Sequence, residues 1–122
     1  MAIERFEQLE VWQKAHALVL HVYQVTANYP AEEKFGLISQ MRRAAVAVPA
    51  NIAEGFKRRG RLDKARFYNI AQASLEELRY YFILSRDLKF RGDHENLINE
   101  TDPIARMLTV LIHKVTSEIT SD

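Results

Sequence analysis

The stretch Arg42-Arg43-Ala44-Ala45-Val46-Ala47-Val48-Pro49-Ala50-Asn51-Ile52-Ala53-Glu54-Gly55-Phe56 decides the architecture. Ile38, Met41, Ala45, Val48, Ile52 and Phe56 keep a 3-4 apolar spacing that runs straight through Pro49, and that spacing is the period of an amphipathic helix. Proline removes one backbone donor and crowds the carbonyl four residues back. An apolar register that survives it therefore predicts one helix kinked at Pro49 rather than two helices.

The same period extends in both directions. Before it, Leu9, Trp12, His16, Val19, Tyr23 and Thr26 make one stripe, and Val11, Ala15, Leu18, Val22, Val25 and Tyr29 make a second beside it. That apolar arc is wider than one helix contact needs, so it calls for two neighbours or for a second subunit. After it, Phe67, Ala71, Ser74, Leu78, Tyr81, Ser85 and Leu88 hold a heptad seam, widened by Ile70 and Phe82. Leu97, Thr101, Ile104, Leu108, Leu111 and Val115 follow in the last segment. Pro30, Pro49, Gly55, Gly60, Gly92 and Pro103 punctuate the chain, which has no Asn-Gly or Asp-Gly hairpin signal. The reading is all-α: an antiparallel up-down-up-down four-helix bundle in one domain, 1–122, with helices over about 9–28, 31–59, 62–91 and 94–120. Asp63 is the expected cap of the third helix, and Gly92 the expected end of it. Thr101-Asp102-Pro103 is either a cap with proline in the first turn or a shallow kink in a helix already begun near His94.

Composition bounds the function. The chain has 122 residues, 48% of them apolar, and no cysteine. Disulfides, thiolate metal sites and a cysteine nucleophile are excluded, and a reducing, cytoplasmic setting is expected. No apolar run approaches the ~20 residues a membrane span needs. Net charge is only +1, yet it is unevenly placed. Residues 42–66 hold eight bases (Arg42, Arg43, Lys57, Arg58, Arg59, Arg61, Lys64 and Arg66) against Glu54 and Asp63, a local +6, while the remainder carries −5. A near-neutral protein with one basic pole points to a polyanion or an acidic partner there. Arginine forks suit phosphate because they bind its oxygens in pairs; a solvated turn partly neutralised by Glu54 and Asp63 is the plain alternative.

Catalytic and metal patterns are missing. The residues three before His16, His21, His94 and His113 are Gln13, Leu18, Arg91 and Val110, so no di-iron motif forms. Gly-x-Gly loops and paired metal-binding histidines are absent as well. No cofactor, metal or catalytic residue is expected. His16 reads as a hydrogen-bonded core or interface residue, and Tyr80 and Tyr81 as packing residues. Asn51 and Glu54 read as side chains that satisfy the backbone around Pro49 and anchor Arg42, Arg43 or Arg58.

Several stretches resemble one family. They are Phe6-Glu7-Gln8-Leu9-Glu10-Val11-Trp12-Gln13-Lys14-Ala15; Tyr29-Pro30 with Phe35-Gly36-Leu37; Gln40-Met41 running into the central stretch up to Gly55; and Ile70-Ala71-Gln72-Ala73-Ser74-Leu75-Glu76-Glu77-Leu78. The chain resembles the four-helix-bundle proteins encoded in intervening sequences of bacterial 23S rRNA genes, a family that includes the accessory variability proteins of diversity-generating retroelements. Ala47 and Ala73 depart from its usual Ser and Gly. The resemblance implies a homopentameric bundle with a basic surface and no known catalysis. For the retroelement branch it implies nucleic-acid binding beside a reverse transcriptase. The implied contacts here are Arg42, Arg43, Lys57, Arg58, Arg59 and Arg61, with RNA favoured; docking of an acidic protein partner, such as a nucleic-acid-processing enzyme, is the alternative.

Overall fold

The computed structural model describes residues 2–120, with side chains through residue 117. Four helices carry the chain: α1 (Glu10–Thr26), α2 (Leu37–Lys57), α3 (Arg61–Asp87) and α4 (His94–Thr120). Single 3-10 turns at Phe6–Gln8 and Ala31–Glu33 precede α1 and α2, and no strand occurs among the described residues. None of these helices is long and apolar enough to cross a membrane.

Each helix packs on the next, and α1 also touches α4. The paired residues show how they meet. Met41 near the start of α2 faces Ser85 near the end of α3, 3.6 Å from sulfur to hydroxyl. Gln72 of α3 donates to Thr109 of α4 at 2.8 Å, and His21 of α1 reaches Glu100 of α4 at 3.0 Å. Leu18, Met41, Ile52, Leu75, Leu78, Phe82, Leu97, Ile104 and Leu108 fill the centre with almost no exposure. Ala44, Ala45 and Ala71 are buried with them and let the helices approach.

The helix boundaries differ from the expected ones for local reasons. α2 begins at Leu37, not near 31. Gly36 lies at φ −108°, ψ −111°, which is not helical, and breaks the run; the Glu33 carboxylate then accepts the Leu37 N–H at 3.1 Å from outside the helix. α2 passes through Pro49 as one helix. Asp63 lies inside α3, whose cap position is Gly60. α3 stops at Asp87, short of Gly92. Lys89 takes the left-handed conformation there (φ 63°). The Phe90 N–H then bonds the Ser85 carbonyl and the Lys89 N–H the Arg86 carbonyl, both at 3.0 Å. This double closure ordinarily uses glycine. α4 starts at His94 because the Asp93 carboxylate caps the Asn96 N–H at 3.2 Å, so Pro103 falls in its interior.

The buried face of α3 is turned about one residue from the seam expected: Ala65, Tyr68, Ala71, Leu75, Leu78, Phe82 and Ser85 are buried. Ile70, Tyr80 and Leu88 are exposed, and Tyr81 is half-buried with its hydroxyl donating to Glu77 at 2.6 Å. On α1 the Val11–Ala15–Leu18–Val22 stripe enters the core. The flank beside it stays open: Trp12 is half-buried, and His16 lies outside the core, exposed in the single chain and stacked on Trp12 with rings 5.0 Å apart.

Candidate nucleic-acid interface

The end of α2 and the start of α3 are joined by three residues, Arg58, Arg59 and Gly60. Their close approach depends on Gly55: a Cβ there would lie 2.6 Å from the Tyr68 ring. The tight corner concentrates cations that the sequence spreads over ten positions.

The eight bases fall into two groups. Arg42 and Arg43 lie near the start of α2, a helix that ends at Lys57. The helical rise puts roughly four turns, on the order of 20 Å, between them and that end. They do not join the corner. Arg42 is half-buried; its Nε donates to the Thr26 hydroxyl at 2.9 Å and its guanidinium lies 4.4 Å from the Tyr23 ring centre. It ties α2 to the end of α1. Arg43 is exposed and reaches Glu77 at 3.0 Å.

The other six surround the corner. Lys64 is half-buried and donates to the last-turn carbonyls of α2, Gly55 at 3.2 Å and Phe56 at 2.7 Å. A cation there satisfies groups that have no partner within the helix and opposes the negative end of its dipole. Burial pulls the Lys64 ammonium below the usual lysine value. Arg58 pairs with Glu54 at 3.3 Å and Asp63 at 3.7 Å, and Arg66 pairs with Asp63 at 3.1 Å. Both guanidinium groups stand 4.7 Å from the Phe67 ring centre. The side chains of Lys57 and Arg59 are exposed and make no hydrogen bond, ion pair or ring contact among the described residues. Asn51 turns back on its own helix and donates to the Ala47 carbonyl at 2.7 Å.

Beneath the corner lies a depression of about 370 Å³ between the ends of the four helices. Arg59, Arg61, Lys64 and Lys114 line it beside Phe56, Tyr68 and Leu111, and no carboxylate is among the described residues that do so. Lys114 is the contribution the sequence reading missed. It sits in α4, fifty residues from the nearest of the others, and only helix packing brings it here. Exposed ion pairs such as Arg58–Glu54 contribute about 0–1 kcal/mol, so a phosphate can compete for those guanidinium groups. Among the described residues, no group of three or more His, Asp or Glu side chains is placed to hold a metal ion.

The sequence pattern of the 23S rRNA-intervening sequence protein family matches residues 7–110, and the chain belongs to that family. No curated protein matches it. A crystal structure at 1.70 Å resolution of a protein of unknown function, from the S23 ribosomal protein family of Bacteroides thetaiotaomicron VPI-5482, has the same fold: the TM-score is 0.74 and the identity 22%, over 84% of this chain and 97% of that one.

Proposed function

We propose that this member of the 23S rRNA-intervening sequence protein family is a non-enzymatic, homo-oligomeric bundle that binds nucleic acid, RNA in preference, through the basic corner at the α2–α3 junction, in the cytoplasm. The observation that carries the reading is the depression lined by Arg59, Arg61, Lys64 and Lys114 with no carboxylate among its described residues. Lys57, Arg58 and Arg66 extend it over the surface. Cations gathered this way attract a phosphate backbone whatever its sequence. The antiparallel frame expected from the sequence gives every copy one such corner. Several copies around an axis then multiply weak contacts by avidity. Arg42 and Lys64 serve mainly the fold, and Arg43 sits too far away to share a phosphate with the corner.

Replacing Lys57, Arg59, Arg61 and Lys114 together by Gln tests the reading. Binding to RNA is expected to be lost while helical content and assembly mass are retained. RNA binding that survives the four changes, or a purified assembly that holds an acidic protein after nuclease treatment and never nucleic acid, contradicts it.

A further inference from the structure

The open flank of α1 and α2 carries two apolar features of opposite shape. One projects: Phe35, in the turn before α2, is 89% exposed. The other is hollow: a cavity of about 380 Å³ lined by Phe6, Trp12, His16, Val46, Pro49 and Ala53, nearly all of it apolar. Val46 also borders the surface around Phe35, so the two features share one continuous face. The chain cannot bring them together itself. α2 rises about 18 Å between Leu37 and Pro49, well beyond the reach of a phenylalanine ring.

We infer that Phe35 of one copy fills the Trp12–Pro49 cavity of another. The inference rests on the homo-oligomer proposed above and names the surfaces that make it. Three observations select a second copy as the occupant. A phenyl ring fits a cavity of this size, and the chain presents such a ring uncovered. Nucleic acid is a poor occupant, because no Lys or Arg lines the cavity among the described residues. The charges are complementary as well. Lys34, Arg42 and Arg43 border the Phe35 end, Arg43 already paired with Glu77. Glu4, Glu7 and Glu54, against Arg5 and Lys57, border the Phe6 end. Setting one end against the other brings cations to an acidic rim and would position Phe35 over the cavity. The pairing is the same whether two copies exchange rings about a two-fold axis or each passes its ring to the next around a closed circle.

The natural absence of cysteine makes the test clean. Phe35→Cys and Ala50→Cys proteins are prepared separately, mixed and oxidised mildly. A disulfide-linked pair is expected in the mixture and not in either protein alone. Phe35→Asp, checked for helicity by circular dichroism, should weaken association at least tenfold, since burying a phenyl ring is worth about 10- to 100-fold in an equilibrium constant. Native mass then separates the two readings. An oligomer that persists in Phe35→Asp, with no mixed disulfide, overturns this pairing and leaves the oligomer standing. A monomeric parent protein overturns both.

Discussion

The Tyr29 hydroxyl and His94 Nε2 lie 2.7 Å apart, buried between the turn that leaves α1 and the first residue of α4. Phe90 packs on the other side of Tyr29, with rings 5.0 Å apart. Burial holds the His94 pKa below its ordinary 6.5 although Asp93 opposes the shift, and it raises that of Tyr29, where Ser85 opposes it. Both groups are therefore neutral near pH 7, and a single hydrogen bond joins the hydroxyl and the ring nitrogen.

A pH dependence follows with a definite sign. The unfolded chain binds the His94 proton more readily than the folded one. The contribution is thus fully present above pH 6.5 and declines as pH falls from there toward the depressed folded value. Chemical denaturation between pH 7 and 5 should show that decline, and His94→Gln should reduce its slope. Tyr29→Phe removes the hydrogen-bond partner of a buried ring nitrogen and should cost about 1–3 kcal/mol at pH 7.

Lys89→Gly should stabilise the protein by about 1 kcal/mol, because a lysine in the left-handed region carries a steric penalty that glycine lacks. The two hydrogen bonds closing α3 use backbone atoms alone and survive the change. The midpoint of urea unfolding should rise with no change in slope. A fall would mean that the lysine side chain contributes to the α3–α4 turn.

Gly55→Ala forces a clash at the corner. The new methyl meets the Tyr68 ring at 2.6 Å and the Phe67 Cβ at 3.2 Å and must push α3 away. Overpacking of this kind should destabilise by about 1–3 kcal/mol. The corner would open, so nucleic-acid affinity should fall together with stability.

Lys64→Met tests what that side chain contributes to the fold. It removes two charge-assisted bonds to the last-turn carbonyls of α2. Their loss should lower stability by about 1.5–3 kcal/mol. Arg59→Gln should barely move the denaturation midpoint, because nothing among the described residues holds that side chain. Surface changes of that sort stay within about ±0.5 kcal/mol. Equal destabilisation by both would contradict the division of roles drawn here.

Helix number and the passage of α2 through Pro49 were legible because apolar spacing reports burial directly. Helix ends were less so. The start of α2 turns on Gly36 and on a carboxylate reaching back from Glu33, and the end of α3 turns on a lysine adopting a conformation its type rarely takes; neither leaves a mark in hydrophobic periodicity. The rotation of α3 has a similar origin. Phe67 and Tyr68 are neighbours of comparable apolarity, both close to Gly55, and periodicity alone does not decide which is buried. Charge clustering pointed to the corner, but sequence distance is a poor guide to what shares it. Arg43 is nearer in sequence than Lys114 and further in space, and Arg42 and Lys64 look like surface cations until their backbone and hydroxyl partners are seen.

The most direct test of the basic corner as a phosphate-binding surface is the affinity of the intact assembly for a structured RNA across a salt series. With about four cations displacing counterions, log K should fall against log salt with a slope of at least about −3, and the Lys57, Arg59, Arg61 and Lys114 to Gln protein should lose most of that slope. A flat dependence, or no binding at low salt, would contradict the account.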